Sequence, residues 1–252
     1  MTSILDSETG AALTQDAFLG GRVRAWQPVG GFRAGIDSVL LAAACPAKAG
    51  DSVLELGCGA GVAALCLAAR VPCEVTGLEL QPDYAALAAR NGLDVVTGDV
   101  AAMPDALRQR QFHHVIFNPP YFAAGQGDAA PDAGRQTARA ETVPIAQWFA
   151  AAEKRLRAKG MVTVIQRAER LPDMLSALGS VFGGVDVLPL APRAGRAARL
   201  VILRARKDSR APFRLHPPLV LHDGAAHERD APDYTAQVQA VLERGAALPF
   251  PD

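Results

Sequence analysis

Residues 51–62 read DSVLELGCGAGV, and they join an apolar run to a loop that is rich in glycine. An apolar run of this length that stops at glycines is typical of a buried strand followed by a tight loop. Residues 60–70, which come next, are rich in Ala and Leu and predict a helix. Glycines in such a loop allow backbone conformations that are closed to other residues and let the chain approach a ligand closely. The stretch therefore predicts a strand–loop–helix unit with a ligand at its loop.

The spacing of the three glycines narrows the choice of ligand. Gly57, Gly59 and Gly61 follow a GxGxG pattern, whereas a dinucleotide-binding loop would have its third glycine at the position of Val62. The shorter pattern, preceded by Glu55, resembles the first motif of class I S-adenosylmethionine-dependent methyltransferases. S-adenosylmethionine has no pyrophosphate, so the loop need not aim a helix N-terminus at phosphate groups. The resemblance implies that S-adenosyl-L-methionine is the cofactor and that the three glycines bind it.

Apolar runs and helical patterns alternate along the chain up to residue 178. Further strands are predicted at residues 74–80, 93–97, 112–117 and 161–166, and helices at 82–90, 104–110, 145–157 and 171–178. Two runs, 185–190 and 200–205, follow with no helix-length segment between them, which predicts an antiparallel hairpin. The predicted fold is therefore α/β and Rossmann-like, as in class I methyltransferases: a mostly parallel seven-stranded sheet with helices on both faces and a C-terminal antiparallel hairpin.

The predicted methyltransferase core extends over residues 51–206, and a segment flanks it on each side. Residues 1–50 form an N-terminal lead-in that is expected to cover the cofactor pocket. Residues 207–252 form a Pro-rich tail, packed on the core, that ends in a short helix near residues 234–244.

The lead-in contains one predicted helix, at residues 38–44. Asp37 precedes it and is a candidate N-cap residue. Phe32 and the apolar residues 39–41 are the side chains expected to cover the cofactor pocket.

Two further acids follow the next predicted strands. Glu79 ends the second strand in GLELQP, and Asp99 follows the third in TGDV. Ligands in open α/β sheets bind at the carboxyl ends of the strands. There, Glu79 can accept hydrogen bonds from both ribose hydroxyls, Asp99 is placed to meet the adenine amino group, and Glu55 can reach the ammonium group of the ligand. Each acid alone would more often be a surface carboxylate or a helix cap, but together and in this order they predict an S-adenosylmethionine site.

The fourth predicted strand ends in residues 118–121, Asn-Pro-Pro-Tyr. Proline cannot donate to a sheet ladder, so the motif could simply end a strand. At this place it resembles the motif of methyltransferases that act on planar amino or amide nitrogens, such as adenine N6, guanine N2 and the glutamine side chain. The side-chain oxygen of Asn118 and the backbone oxygen of Pro119 can each accept one N–H of the amine, and Tyr121 offers a ring for stacking on a base. These three are the predicted catalytic residues, and Asn118 is also expected to contact the cofactor.

Four segments outside this motif extend the resemblance: residues 27–41 (QPVGGFRAGIDSVLL), 138–141 (ARAE), 217–219 (PPL) and 234–235 (YT). They resemble segments of the bacterial tRNA1(Val) (adenine(37)-N6)-methyltransferase family, although Ala140 stands where that family often has histidine. The resemblance covers the chain from Ala17 to Leu242. It implies that the substrate is adenine N6 in a tRNA, and hence that tRNA is a partner.

Basic residues concentrate near the end of the core. From residue 193 to residue 214 there are eight basic side chains and one acid, Asp208. Arg193, Arg196 and Arg199 lie in the loop of the predicted hairpin. The cluster can be a solvated face, but an enzyme that reads a base in structured RNA needs phosphate contacts that do not depend on sequence. We therefore expect these three arginines to bind tRNA.

Composition argues against several classes of protein. Half of the residues are hydrophobic and the net charge is zero, which is typical of a globular protein with a substantial core. No apolar stretch approaches the roughly 20 residues of a membrane span, and the polar N-terminus does not resemble a signal peptide, so the expected location is the cytoplasm. The four cysteines lack CxxC spacing and do not predict a metal site. His113 and His114 are interpreted as strand-entry residues, and we expect a monomer or a weak dimer.

Other substrates remain compatible with the Asn-Pro-Pro-Tyr motif. Release-factor glutamine methyltransferases share it but carry a helical domain before the glycine loop, which here starts at residue 57. A ribosomal-RNA guanine-N2 enzyme is a further alternative. A DNA adenine methyltransferase would need a target-recognition domain, and a catechol-type O-methyltransferase would need clustered carboxylates for a metal. The alternative from another class is a non-enzymatic S-adenosylmethionine-binding module.

Overall fold

The computed structural model describes residues 3–5, 12–120, 122–123, 140–141, 143–224, 233–248 and 250, with the backbone alone at 3–5, 122–123 and 140–141. Tyr121 and the first two residues of the ARAE segment lie outside the described residues. Within the part of the chain that is described, no helix has both the length and the apolar character needed to cross a membrane.

The described strands are β1 (Ser3–Leu5), β2 (Ala12–Phe18), β3 (Val23–Pro28), β4 (Ser52–Leu56), β5 (Glu74–Glu79), β6 (Asp94–Thr97), β7 (Phe112–Phe117), β8 (Phe122–Ala123), β9 (Ala140–Glu141), β10 (Leu156–Arg167), β11 (Phe182–Ala191), β12 (Leu200–Lys207), β13 (Arg214–Leu215) and β14 (Leu219–Val220). The described α-helices are α1 (Ile36–Ala44), α2 (Val62–Arg70), α3 (Pro82–Arg90), α4 (Asp105–Arg108), α5 (Ile145–Arg155), α6 (Leu171–Ala177) and α7 (Ala236–Arg244). Each strand and helix predicted for the core is present, with its ends shifted by a few residues.

One large sheet forms the centre of the molecule, with strand order β13-β11-β12-β10-β7-β4-β5-β6 and β14 beside β11. Strands β4, β5, β6, β7 and β10 are parallel, whereas β12 runs antiparallel to both β10 and β11. The predicted α/β fold with its closing antiparallel hairpin is confirmed. The short strands β13 and β14 from the tail widen the sheet beyond the seven strands that were predicted.

Strand β7 shows how the sheet divides the core. Ile116 packs in the apolar cluster that contains residues of α1, α2 and α7, whereas Val115 and Phe117 pack on the other face with α5 and α6. The rings of Phe117 and Phe149 meet edge to face, with 5.3 Å between their centroids. Because helices cover both faces, side chains on both sides of a central strand are buried, and this explains the continuous Val-Ile-Phe run.

A three-stranded antiparallel sheet, β1–β2–β3, precedes helix α1. Only one helix was predicted in residues 1–50, so the prediction for this segment was incomplete. A buried glutamine, Gln27, interrupts the apolar alternation of β3 and hides its period. Asn91 attaches this sheet to the core, since its side chain accepts from Trp26 N (2.8 Å) and donates to the carbonyl oxygens of Trp26 and Ala60 (both 3.0 Å).

Helix α1 begins before Asp37, and its N-cap residue is Gly35. The prediction that Asp37 caps this helix is therefore wrong. The chain leaves its extended conformation at Gly35, so Asp37 already lies in the first helical turn and its carboxylate is directed to another partner. Residues 39–41 are buried in the core between α1 and the sheet.

The tail packs against helix α1 and the hairpin. Val238 and Val241 of α7 are buried in the same apolar cluster as α1. Leu248 N donates to the carbonyl oxygen of Ala43 (2.8 Å), and Leu248 O accepts from the Arg204 guanidinium (3.1 Å). Lead-in, central segment and tail thus share one core, while the boundaries after residues 50 and 206 stay predictions.

Candidate active site

The carboxyl ends of β4, β5, β6, β7 and β10 lie at one edge of the sheet because these strands are parallel. We call this edge the carboxyl edge. It brings together the glycine loop, Glu79, Asp99 and the Asn118–Pro120 segment, each of which follows or ends one of the strands. Groups that are far apart in the sequence are therefore close together in the structure.

The glycine loop is confined from two sides. Gly57, Gly59 and Gly61 all have positive φ, at 65°, 54° and 84°. At Gly57 a Cβ atom would lie 2.8 Å from the Trp148 ring, so close contact as well as backbone conformation requires glycine there. On the other side the Phe32 ring lies against Gly59.

Tyr84 of α3 holds Phe32 over this loop. Its hydroxyl accepts a hydrogen bond from Phe32 N (2.8 Å) and donates one to Phe32 O (3.1 Å). The lead-in therefore reaches the glycine loop through Phe32. Its role as a cover for the cofactor pocket stays a prediction.

Glu79 connects the end of β5 to the glycine loop. One carboxylate oxygen accepts from Gly59 N (2.8 Å) and the other from Gln81 N (2.9 Å). The side chain is buried, with a residue exposure of 6%. Burial raises the pKa of this carboxyl above its ordinary value, although the backbone N–H groups oppose the shift. Both carboxylate oxygens of Glu79 are thus bound to backbone N–H groups at the end of β5. Its role as the acceptor for the ribose hydroxyls stays a prediction.

Glu55 lies near the end of β4, and its predicted contact with the ammonium group of the ligand stays a prediction. Only 4% of the residue is exposed, and one carboxylate oxygen accepts from Ala64 N (2.8 Å) in the first turn of α2. Burial raises the pKa of Glu55 to about 8; the Ala64 N–H opposes this shift and the charge of Glu79 adds to it. In this structure Glu55 joins strand β4 to helix α2 from beneath the glycine loop.

Asp99 follows β6 and is half-buried. One carboxylate oxygen accepts from Ala101 N (2.8 Å), which fixes the turn after the strand. Nearby in sequence, Leu80 follows Glu79 and is 47% exposed. An exposed leucine directly after Glu79 provides an apolar surface that suits the flat face of an adenine.

Asn118 and Pro119 follow β7, next to the glycine loop. The Asn118 side-chain nitrogen donates to Asp37 Oδ2 of helix α1 (3.0 Å), so the amide oxygen is directed the opposite way. The Pro119 carbonyl oxygen accepts from Gln166 Nε2 (3.1 Å), at the end of β10. Tyr121 lies outside the described residues, and its predicted stacking role stays a prediction.

The two histidines lie at the opposite edge, where β7 begins. Ser52 N donates to His113 Nδ1 (2.9 Å), and His114 Nε2 lies 3.0 Å from Asp51 Oδ2. Both are bound to the first residues of the neighbouring strand and take no part in the carboxyl edge, as their interpretation as strand-entry residues required.

The three arginines of the hairpin loop differ in their surroundings. The Arg193 side chain is 14% exposed, lies 2.5 Å from Asp233 Oδ2, and donates to the carbonyl oxygen of Asp223. Arg196 and Arg199 are exposed. Because β12 is antiparallel to β10, its first residue pairs with the last residue of β10, so this loop lies at the carboxyl edge.

Three residues near this edge were not predicted as site residues: Asp37, Gln166 and Leu80. Gln166 carried the same signal as the acids, since it is a polar residue that ends an apolar strand. Leu80 had only its position after Glu79 to identify it. Asp37 was recognised, but its partner is 81 positions away in sequence and no local pattern could reveal it.

Fold and site together define a protein of the class I S-adenosylmethionine-dependent methyltransferase fold, for which S-adenosylmethionine is the cofactor. A family model described as a methyltransferase domain matches residues 53–140. A crystal structure of a predicted O-methyltransferase from Agrobacterium tumefaciens is similar, with a TM-score of 0.69 and 28% sequence identity, covering 84% of this chain and 98% of that chain.

The chain is also related to bacterial proteins named tRNA1(Val) (adenine(37)-N6)-methyltransferase. That of Shewanella halifaxensis is 30% identical over 155 residues, which make up 58% of this chain and 62% of the relative. That of Aeromonas hydrophila is 29% identical over 181 residues, which make up 68% and 75%. The matched part thus spans less than two thirds of the first relative's length. The resemblance to this family that the sequence predicted is confirmed.

Proposed function

We propose that this protein transfers a methyl group from S-adenosylmethionine to the exocyclic N6 amine of an adenine in tRNA. The observation that carries the proposal is the pair of acceptors after β7. The Asn118 amide is oriented by Asp37, and the Pro119 carbonyl lies beside it, at the edge that also holds the glycine loop and Glu79.

The residues at the carboxyl edge fit the cofactor by the chemistry of their groups. Glu79 would accept hydrogen bonds from the ribose hydroxyls, Asp99 would meet the adenine amino group, and Leu80 would contact the adenine face. The glycine loop, with Gly57, would lie against the remainder. When bound, S-adenosylmethionine supplies an electrophilic methyl group.

The two acceptors suit a weak nucleophile. An amine conjugated to a ring is poorly nucleophilic because its lone pair is delocalised. The Asn118 side-chain oxygen and the Pro119 carbonyl oxygen would each accept one N–H, so that the lone pair points away from both acceptors. The two prolines restrict the backbone and leave little conformational freedom to lose on binding. The methylated amine is acidic enough to release its proton without a dedicated base.

A tRNA substrate is supported by the names of the relatives and by the exposed arginines. Arg196 and Arg199 lie at the carboxyl edge, where they could contact the phosphates around a base held at Asn118. We do not assign this role to Arg193, because its guanidinium is engaged by Asp233 and Asp223. A tRNA substrate would place the reaction in the cytoplasm, as the sequence analysis expected.

The experiment combines purified protein, methyl-labelled S-adenosylmethionine and tRNA from a strain that lacks the corresponding gene. Nucleosides from the digested tRNA are identified by mass spectrometry. The proposal predicts labelled N6-methyladenosine at one position. Label in N2-methylguanosine, or transfer to a release factor and not to tRNA, would instead support one of the alternatives that share the Asn-Pro-Pro-Tyr motif. Cofactor binding without transfer to any of these would favour a binding module.

A further inference from the structure

Two side chains from distant parts of the chain contact the two acceptors that the proposed reaction uses. Asp37, in the first turn of α1, accepts from the Asn118 side-chain nitrogen (3.0 Å). Gln166, at the end of β10, donates to the Pro119 carbonyl oxygen (3.1 Å) and, more weakly, to that of Pro120 (3.4 Å). The elements that supply them are a lead-in helix and the fifth parallel strand.

We propose that Asp37 and Gln166 are positioning residues that set the direction of the two acceptors toward the substrate amine. The proposal rests on the proposed function and assigns how its catalytic segment is held. Asp37 acts through Asn118, and Gln166 acts through Pro119.

Asp37 can select which end of the Asn118 side-chain amide faces it. An asparagine side chain can turn about its last bond and exchange its NH2 group for its oxygen. An ionised carboxylate only accepts hydrogen bonds, so Asp37 can pair with the NH2 end alone. The Asn118 oxygen is then fixed on the other side, where an amine can donate to it. Without Asp37 the NH2 end can turn toward the amine, which would set two donors against each other.

The Gln166 side chain is held in one orientation by its burial and by its own hydrogen-bond partners. The residue has no exposed surface, and its oxygen accepts from Arg167 N (2.7 Å), which leaves its NH2 end facing the Pro119 carbonyl. The parallel register that pairs Val164 with Phe117 places Gln166 beside Pro119. A carbonyl oxygen accepts two hydrogen bonds, so this contact fixes the carbonyl and leaves its second lone pair for the substrate amine.

The first test separates orientation from folding at Asp37. Asp37→Leu should lower kcat by about 10-fold, the value of one hydrogen bond, with cofactor Kd and tRNA KM changed less than about twofold. Asp37→Asn keeps an accepting oxygen but can also present its own NH2 group to the Asn118 oxygen, so its kcat should lie between those of Asp37→Leu and wild type. The matched control is Asp105→Leu, an exposed acid in α4, which should not change kcat.

A double-mutant cycle gives the sharper readout, because Asp37 is proposed to act only through Asn118. In an Asn118→Ala background, Asp37→Leu should cause no further loss of kcat. A general structural role would lower kcat again in that background. Gln166→Leu should behave in the opposite way and add its effect, since it acts through Pro119.

Gln166→Glu is the isosteric test of the second contact. It replaces the donating NH2 with an oxygen, so kcat should fall by about 10-fold while cofactor Kd is unchanged. Gln109→Glu, at an exposed position before β7, is the control. A wild-type kcat in both Asp37→Leu and Gln166→Glu would overturn the proposal, and so would an equal loss from Asp37→Leu with and without Asn118.

A measurement without substrate keeps this proposal separate from the proposed function. The side-chain NH2 resonances of Asn118, assigned by their loss in Asn118→Ala, should shift in Asp37→Leu and stay in place in Asp105→Leu. Unchanged resonances in Asp37→Leu would contradict the hydrogen bond itself. If the wild-type protein transfers nothing to tRNA while these shifts occur, the reaction is wrongly assigned but the orientation of Asn118 is correct.

Discussion

The amino and carboxyl ends of the paired strands β4 and β7 both carry polar residues, yet they are built differently. At the amino ends, an acid and an imidazole bind each other, with 3.0 Å between His114 Nε2 and Asp51 Oδ2. At the carboxyl ends, Glu55 is bound by the backbone N–H of Ala64, and Asn118 is bound by a carboxylate from the lead-in. At the amino ends the polar side chains pair with each other. At the carboxyl ends each polar side chain is bound by a group from another element.

The pKa values follow this difference. Burial alone would raise the pKa of Asp51, but hydrogen bonds from Lys48 N–H and His114 hold it below its ordinary value. Burial raises the pKa of Glu79 and raises that of Glu55 to about 8. Acids whose pKa is raised by desolvation, grouped in one cleft, are typical of functional sites. A histidine in close contact with an acid, as at the amino ends, therefore does not by itself identify an active site.

Asn118→Ala should have the largest effect among single changes. It removes one of the two acceptors for the substrate amine, and loss of one oriented hydrogen-bonding group in an active site typically costs about 10²–10³ in kcat. Single-turnover transfer to tRNA measures this loss, and calorimetry should show cofactor binding within about threefold of wild type. A variant that loses cofactor binding in parallel would contradict the division of roles.

Glu79→Gln should weaken S-adenosylmethionine binding by about 10- to 100-fold, since hydrogen bonds to a charged group are worth about 1.5–3 kcal/mol. Calorimetric titration with the cofactor measures the change. Glu74→Gln, at the exposed amino end of the same strand, is the matched control and should bind normally. Equal affinity in the two variants would show that the carboxyl edge of β5 is not the ribose site.

The hairpin arginines divide into two kinds of effect. Arg196→Ala and Arg199→Ala should each reduce the salt dependence of tRNA affinity by about one unit of slope, if each contacts one phosphate. Arg193→Ala should leave that slope unchanged and lower the free energy of unfolding, because it breaks the contact with Asp233. A filter-binding titration over salt concentration and a thermal melt separate the two. A smaller salt slope with an unchanged free energy of unfolding in Arg193→Ala would instead indicate that Arg193 contacts RNA.

Stability should depend on pH through Glu55. The folded state keeps a proton on this carboxyl up to about pH 8, whereas an unfolded chain releases it near pH 4.3. Between these values the folded state binds more protons, so the free energy of unfolding falls as pH rises. Glu55→Gln should be as stable as wild type at pH 5 and should decline less steeply up to pH 9 in urea titrations. Parallel curves would show that Glu55 is ionised in the folded protein.

His114→Gln should have the smallest effect on activity. It removes a buried contact with Asp51, so unfolding should become easier by about 1–3 kcal/mol while kcat stays unchanged. Chemical denaturation and single-turnover transfer measure the two quantities. A loss of kcat as large as that of Asn118→Ala would reverse the comparison between the two ends of the sheet.

The central sheet was predictable because each parallel strand contains a short apolar run and several of the loops carry their own signal. The glycine loop and the proline that begins α3 are local patterns, and local patterns specify local structure. The lead-in sheet was not predictable in this way. Its strands lie outside the central sheet, Gln27 interrupts the alternation of β3, and the sheet is attached to the core through contacts of Trp26 with Asn91 that no period reveals.

The candidate site shows the same difference between local patterns and long-range contacts. The positions of Glu79, Asp99 and Asn118 at one edge of the sheet were predictable because each ends or follows a strand, and parallel strands bring their ends together. The contacts of Asp37 and Arg193 were not predictable, since they depend on partners far away in sequence, Asn118 and Asp233. A charged side chain shows its type in the sequence but not the group that binds it.

The most direct test of the central claim is the nucleoside content of tRNA from a deletion strain that carries wild-type protein, Asn118→Ala or no copy. The account predicts N6-methyladenosine restored by the wild type alone, with both proteins present at equal levels and both binding S-adenosylmethionine. N6-methyladenosine at equal levels with Asn118→Ala, or its absence with the wild type, would contradict the claim that the carboxyl edge at Asn118 methylates adenine.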